Sequence, residues 1–408
     1  MKKQPPLIAG LELEGHQFTL VVGHLPDRNR LVIRSVESIP AQGVQRGVLS
    51  DPLECTDAVA RLVRQAEKSV SARIPKVLAT LHGNHVTSVN TTASIPIADP
   101  GTGITQRDVE RVIHTCRTLS LEYDRQILHA FTRGFSVDGQ GGIKDPVGLY
   151  GTKLTIEMHL VTALNMAVQN LTRVLNRAGL EVERLVLPGL AAADAVLTDL
   201  DRDLGVTLIR IGESQTQALL FTDGAVRETF LIPWGTDHLM EALSRAFKLP
   251  LASAQVAFEQ IRSLEDRPEL ASDTLQVKSG SLHRSIPQGQ AVHLVASKCK
   301  EFLARIHRRL EESRYFRESA SGIVMVGNLI RLDGFIEMTE GLLNMPVRLG
   351  TARDVELDPS ITLGASHATA VGLLRYAAQS RFASSPPWSV SPWARLLERG
   401  RHLLEEYF

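Results

Sequence analysis

Apolar positions along this chain switch repeatedly between a period of two and a period near 3.6. From Leu7 to Val22 they read as a strand, a turn and a second strand, with Gly10 and Gly15 near the bend. A third strand is predicted around Leu31 to Ser35, and from Asp51 to Ala72 the spacing becomes helical through Ala58, Leu62, Val63, Ala66 and Val70. Lys76 to Leu81 reads as a short buried strand ending at His82-Gly83. Asn84 to Thr162 has a different character, with strands, a Gly-rich turn and one helix beginning near Thr105, whose first turns carry Asp108 and Glu110.

The pattern then alternates: helix Ala167 to Ala178, strand Glu183 to Leu187, helix Leu190 to Leu197, strand Gly205 to Ile211. A hairpin follows, Ala218 to Phe221 and Ala225 to Ile232, around the turn Thr222-Asp223-Gly224. Helices dominate His238 to Arg262, and a polar stretch of hairpin character runs through Gly289. Helix Val292 to Ser313, strand Gly322 to Val326, helix Leu332 to Leu343 and strand Val347 to Leu349 complete the body. The outline is two α/β halves, each opening with a strand-turn-strand unit, plus inserted modules, which suggests two similar domains facing a cleft.

Ala377 to Pro392, rich in Ser, Ala and Pro, reads as a flexible linker. Beyond it, Trp393, Leu396, Leu397, Leu403, Leu404, Tyr407 and Phe408 fall on one face of a helix, with Gly400 in the stripe and charged residues opposite. Such a helix is about 24 Å long, short of a hydrocarbon core of roughly 30 Å, so it can lie on a bilayer but not span it. Docking on its own domain or on a partner is the other reading, and the reach of the linker favours the membrane.

At 408 residues the chain has room for several structural units with ample core. Lys plus Arg and Asp plus Glu balance at 45 each, so no global charge draws it to nucleic acid. No apolar run is long enough for a transmembrane helix, and Met1 to Pro6 leads into a strand rather than a signal-peptide core, which predicts a cytoplasmic protein. The three cysteines, Cys55, Cys116 and Cys299, read as buried thiols, and no metal site is indicated. His82, His85, His114, His129 and His159 lack ligand spacing. Ser214 and Thr216 lack a local His base, and Lys298 and Glu301 read as a solvated helix face.

Asp124-Arg125-Gln126-Ile127-Leu128-His129, then Val137 to Gly151 (VDGQGGIKDPVGLYG), Phe221-Thr222-Asp223-Gly224-Ala225, and Ala368 to Leu374 (ATAVGLL) resemble the signature of the bacterial cell-division family FtsA. The glycines and Pro146 of the second stretch supply turns and carry no chemistry, so it reads as framework. The resemblance implies an α/β, actin-like two-domain fold with an FtsA-type inserted subdomain and a C-terminal amphipathic helix. It places the first domain core at 7–82, 163–203 and 346–376, the insertion at 83–162, the second core at 204–228 and 298–345, and a small subdomain at 229–297. It further implies a polymerising adaptor on the cytoplasmic face of the inner membrane at midcell. Its partners would be the C-terminal tail of the tubulin-like protein FtsZ, captured by the small subdomain, itself, other divisome membrane proteins and lipid.

ATP with Mg²⁺ is the cofactor this resemblance implies, and the residues argue against it. A family pattern like G-L-D-I-G-T-S-K stands here as Gly10-Leu11-Glu12-Leu13-Glu14-Gly15-His16-Gln17. One like D-I-G-G-G-T-T-D stands as Arg210-Ile211-Gly212-Glu213-Ser214-Gln215-Thr216-Gln217, and T-G-G-G-S as Val326-Gly327-Asn328-Leu329-Ile330, with two bulky side chains where a purine would slide. Gly10, Glu12, Gly15, Gly212, Thr216 and Gly327 are the remnants of the nucleotide site. A carboxylate such as Glu14 or Glu213 about 4 Å from a phosphate charge costs about 4 kcal/mol at an effective dielectric near 20. Two would erase a micromolar affinity of about 8 kcal/mol. Arg210 could instead supply positive charge. The expectation is a pseudo-ATPase with no catalytic residue. The alternatives are an active actin-like ATPase and an actin-like adaptor of a pilus or secretion system.

Overall fold

The computed structural model of this protein describes residues 7–26, 30–119, 121–265, 273–279, 282–359, 361–364 and 367–382. The expected membrane-facing helix, with Trp393, Leu396, Leu397, Leu403, Leu404, Tyr407 and Phe408, lies outside the described residues.

The chain opens with β1 (Ile8–Leu13), β2 (Gln17–His24) and β3 (Leu31–Pro40), followed by a two-residue ladder of β4 (Val44–Gln45) and β5 (Val48–Leu49). Every residue of β1 is buried, as a strand covered on both faces requires. Helix α1 (Pro52–Val70) starts where the Asp51 carboxylate accepts from the N–H groups of Leu53 (2.9 Å) and Glu54 (3.0 Å), with Pro52 in the first turn. It buries Cys55, Ala58, Val59, Leu62, Val63 and Ala66 and is followed by β6 (Lys76–Thr80).

An inserted unit comes next: β7 (Val86–Pro96), α2 (Gln106–Leu119), β8 (Arg125–Val137), β9 (Gln140–Ile143) and β10 (Lys153–Leu164). Its sheet runs β7-β10-β8-β9 and has its own core around Val112, Leu154, Ile156 and Met158. The chain returns through α3 (Asn165–Arg177), β11 (Glu181–Val186), α4 (Pro188–Val196) and α5 (Asp199–Leu204).

The second half repeats the opening: β12 (Val206–Ile211), β13 (Thr216–Thr222) and β14 (Ala225–Ile232), then α6 (Thr236–Phe247), α7 (Leu251–Gln260), the hairpin β15 (Thr274–Ser279) and β16 (Leu282–Pro287), α8 (Gln288–Glu311), α9 (Arg314–Arg317), β17 (Ile323–Gly327), α10 (Phe335–Leu343) and β18 (Val347–Leu349). β19 (Val355–Leu357) and α11 (Ala368–Phe382) finish the described body.

The two main sheets share one topology. In the first lobe an antiparallel β3-β2-β1 meander continues through parallel β6 and β11, with β19 added beside β3. In the second, β14-β13-β12 continues through parallel β17 and β18. Between them sits α4, buried along its whole length and crossing α11. Residues 377–382, expected to begin the linker, instead continue α11, with Ala377 and Ala378 only 1% and 5% exposed, and the rest of the expected linker lies outside the described residues. These alanines extend the helix's apolar contact with the core.

The α4–α11 crossing requires glycine. A Cβ on Gly372 would lie 1.8 Å from the Ala191 carbonyl oxygen, so the helices would have to separate. Gly372→Ala is therefore expected to destabilise the protein by about 3 kcal/mol, read by chemical denaturation. Gly141→Ala, where nothing lies within 4 Å of the new Cβ, should change stability by no more than about 0.5 kcal/mol.

Candidate functional site

The repeated hairpins β1–β2 and β12–β13 meet turn to turn across the two lobes. Along an extended strand alternate residues share a face, so Glu12 and Glu14 point the same way. They point at Arg210, on β12 opposite Gln217. Its guanidinium pairs with Glu12 at 2.7 Å and also with Glu14, while its Nε donates to Thr369 Oγ1 on α11 at 3.0 Å. All three charged side chains are buried. Removing one partner from such a group strands the others uncompensated, at a cost of about 3–5 kcal/mol.

The turns hold each other reciprocally. Glu14 Oε2 accepts from the Glu213 N–H at 3.4 Å, and Glu213 Oε2 accepts from the His16 N–H at 2.6 Å. The His16 ring then reaches Asp237 at the start of α6, 2.7 Å away. His82, just after β6, places Nε2 3.8 Å from Glu14. Below the turns, Gln217 Oε1 accepts from the Gly189 N–H at 2.6 Å at the start of α4, and its Nε2 donates to Gln215 Oε1 at 3.0 Å.

Electrostatics follow from this burial. Desolvation pushes the Glu12 carboxyl up to about 6 despite Arg210. The same desolvation opposes ionisation of Glu14, but Arg210 and then His82 outweigh it and hold the carboxyl at about 2. Burial, with the neighbouring Glu14 charge, pushes Glu213 up to about 8. The hydrogen bond to Asp237 lifts His16 to about 9, and burial keeps His82 below its ordinary value.

Of the residues singled out in the sequence, Glu12, Gly15 and Gly212 come together at these turns. A Cβ on Gly212 would lie 2.5 Å from the Arg210 guanidinium, so that glycine makes room for arginine. Gly10 sits beneath α11, where a Cβ would lie 2.8 Å from the Ala370 carbonyl oxygen. Thr216 is fully buried and donates to the Trp234 carbonyl at 2.9 Å. Gly327 has φ +123°, and a Cβ there would lie 2.1 Å from the Ile211 carbonyl oxygen. Backbone packing thus accounts for Gly10 and Gly327. Leu329 is fully buried in the second lobe's core, in a short 3₁₀ turn over Asn328–Arg331, and does not obstruct the cleft as its position in the sequence suggested.

His16, His82, Gln215, Gln217, Asp237 and Thr369 were not singled out as site residues. No local pattern marked them; the sequence offered only Arg210 on one hairpin and Glu14 on the other, the ion pair they surround. The other candidates are accounted for elsewhere. Lys298 and Glu301 pair with each other at 2.9 Å on an exposed helix face, and the three cysteines are free and buried. Among the described residues no cluster of His, Cys, Asp or Glu could hold a metal ion. A cavity of about 90 Å³ lies behind His82, between Leu13, Val48, Thr80, His85 and Leu171. Ligand pockets start at about 300 Å³.

The glycine-rich stretch Val137 to Gly151 lies far from these turns in the chain and is built as framework. Asp138 accepts from the Thr152 N–H (3.0 Å), the Thr152 hydroxyl (2.8 Å) and the Lys153 N–H (2.8 Å), closing the loop. Lys144 then bridges to Asp223 at 2.8 Å, joining the insertion to the β13–β14 turn.

Residues 83–162 match the family profile described as "SHS2 domain inserted in FTSA", and residues 207–372 match "Cell division protein FtsA". The chain is 27% identical over 411 residues to the cell division protein FtsA of Pseudomonas aeruginosa, covering 98% of both chains. With FtsA of Escherichia coli K12 it shares 27% identity over 388 residues, covering 92% of this chain and 91% of the other. Among solved structures, the PilM-PilN type IV pilus biogenesis complex superposes with a TM-score of 0.64 at 16% identity, covering 91% of this chain and 98% of that one. MreB5 of Spiroplasma citri bound to ADP gives 0.57 at 10% identity, covering 93% and 99%. These structures establish the fold alone. With two profiles of one family on its insertion and its second lobe, and relatives of that description aligned along nearly its full length, this chain belongs to the FtsA family of cell-division proteins and has its actin-like fold.

Proposed function

We propose that this chain is a division adaptor that works without a nucleotide. It polymerises, holds FtsZ filaments to the cytoplasmic face of the membrane at the septum and recruits later division proteins. Family membership supports the role. The observation that carries the nucleotide-free part is the Arg210 group: the space between the two hairpins, where an actin-like protein such as MreB5 holds its nucleotide, is taken by the chain's own side chains. The residues present do not fit Mg-ATP. A phosphate would have to break Arg210 away from two buried carboxylates and then face them. The N–H of Gly189, at a helix start suited to an anion, is already engaged by Gln217.

The functional surfaces are then the small subdomain at 229–297 for the FtsZ tail and the C-terminal helix for lipid. Among the described residues no helix is long and apolar enough to cross a membrane. In the terminal helix Arg395, Arg399 and Arg401 are balanced by Glu398, Glu405 and Glu406, so attachment rests on Trp393, the leucines, Tyr407 and Phe408. One such helix binds reversibly, and many aligned on a filament raise avidity by roughly 10² or more. The likeness to a pilus protein is one of fold and does not favour a pilus role over division.

Isothermal calorimetry with Mg-ATP should give no heat of binding in the low micromolar range, and clear micromolar binding would refute the nucleotide-free reading. In liposome flotation, Trp393→Glu or Leu404→Glu should leave the protein in the soluble fraction while its circular dichroism stays that of the parent. Unchanged flotation would remove the tether. A pull-down on the FtsZ C-terminal peptide should retain the chain, and failure to do so would count against the division role.

A further inference from the structure

Seven ionisable side chains from four segments converge where the lobes meet. Glu12, Glu14 and His16 come from the β1–β2 hairpin, His82 from the end of β6, Arg210 and Glu213 from the β12–β13 hairpin, and Asp237 from α6. Four carboxylates face two cations, Arg210 and His16, with the His82 ring 3.8 Å from Glu14. Arg210 is committed to Glu12 and Glu14. On the other side, Glu213 is wedged against Glu14 through the reciprocal turn contacts and accepts from the His16 backbone N–H, while the His16 ring is held by Asp237. That side carries one carboxylate more than its cation can balance.

We propose that this ring is a proton-operated lock between the lobes: closing takes up protons on Glu213 and His16, opening releases them, and no nucleotide takes part. The proposal rests on the reading of the site as nucleotide-free. With the lobes together, burial beside Glu14 pushes Glu213 up to about 8, and the Asp237 hydrogen bond lifts His16 to about 9. With the lobes apart, both return toward their ordinary values of 4.5 and 6.5. Both values are raised in the closed form. Their contribution is therefore complete at acid pH and is lost as pH rises through about 8 to 9. Between the open and closed values, each linked proton changes the closing constant by about tenfold per pH unit.

The native thiols are buried, so cysteines added at exposed Leu53 on α1 and Leu251 on α7 can be spin-labelled in the full chain. Double electron–electron resonance on the Leu53→Cys, Leu251→Cys protein should give one short inter-lobe distance at pH 6.5. The ratio of short to long distances should fall by at least about tenfold by pH 9.5. Glu213→Gln keeps an acceptor for the His16 N–H without a titrating proton, and should reduce that response to the share carried by His16. Arg210→Met should broaden the distances at every pH. If that variant does not fold, the titrations of the parent and of Glu213→Gln decide the matter. A parent distance indifferent to pH, or a full response in Glu213→Gln, overturns the lock. Tight Mg-ATP binding would overturn the nucleotide-free reading instead, which separates the two failures.

Discussion

A guanidinium buried with two carboxylates is tolerable only while all three stay together, and here they arrive on different lobes. Arg210 comes from β12, Glu12 from β1 and Glu14 from the turn after it, and each lobe has its own sheet. Desolvating any one of them alone costs several kcal/mol, so the hairpins must face each other for the native arrangement to be the stable one. The neighbouring polar groups obey the same constraint. Gln215 and Gln217 are buried behind the turns, where they bond to each other and take their remaining partners from the Gly83 carbonyl and the Gly189 N–H. Arg210, reaching across from β12, thus gives the cleft an intramolecular occupant.

Around this centre the framework residues hold turns and join units together. Asp138 holds a loop closed, Lys144 ties the insertion to the second lobe through Asp223, and Ser88 donates to the Thr229 carbonyl at 2.6 Å. Gly372 lets α11 lie on α4, and Gly10 lets it lie on β1. The glycines are fixed by close backbone approach, and the polar residues by the loop and inter-unit contacts they make. The site side chains answer only to one another, and can change as a set. A chain can therefore keep the fold while the cradle between its hairpins becomes something else.

The repeated architecture was legible in the sequence because it is written locally: β1–β2 and β12–β13 are short apolar runs broken by turn residues, and α1 and α8 carry helical stripes. What was not legible depends on distance along the chain. β19 is three residues long and exists because it pairs with β3 from the far end of the molecule. His16 and Asp237 meet across 221 positions, and no local pattern announces that. Leu329 misled because sequence order shows that a bulky residue replaces glycine but not that a 3₁₀ turn rotates it into the core. The linker was placed too early because Ala377 and Ala378 are as compatible with a flexible segment as with a helix, and only their burial against the body distinguishes the two. The Arg210 group was half visible. Added acid on one hairpin and added base on the other is what an ion pair between them requires, but two carboxylates considered singly look like repulsion aimed at a phosphate.

The same physics bears on control of the polymer. A filament whose subunits hydrolyse nucleotide has a chemical clock, because each subunit changes state after a set time. Subunits closed by their own side chains have none, and their assembly is governed by mass action and by whatever binds the assembled form better than the single chain. A reversible amphipathic helix is such an influence. Its affinity is small for one copy and large for a row of copies, so lipid stabilises the row in proportion to its length. By linkage the row also stabilises attachment to lipid, because coupling between two binding equilibria is reciprocal. On the proposed nucleotide-free reading the protein would not be left unregulated. Control would rest on the surface where it assembles and on the partner filaments that gather it there.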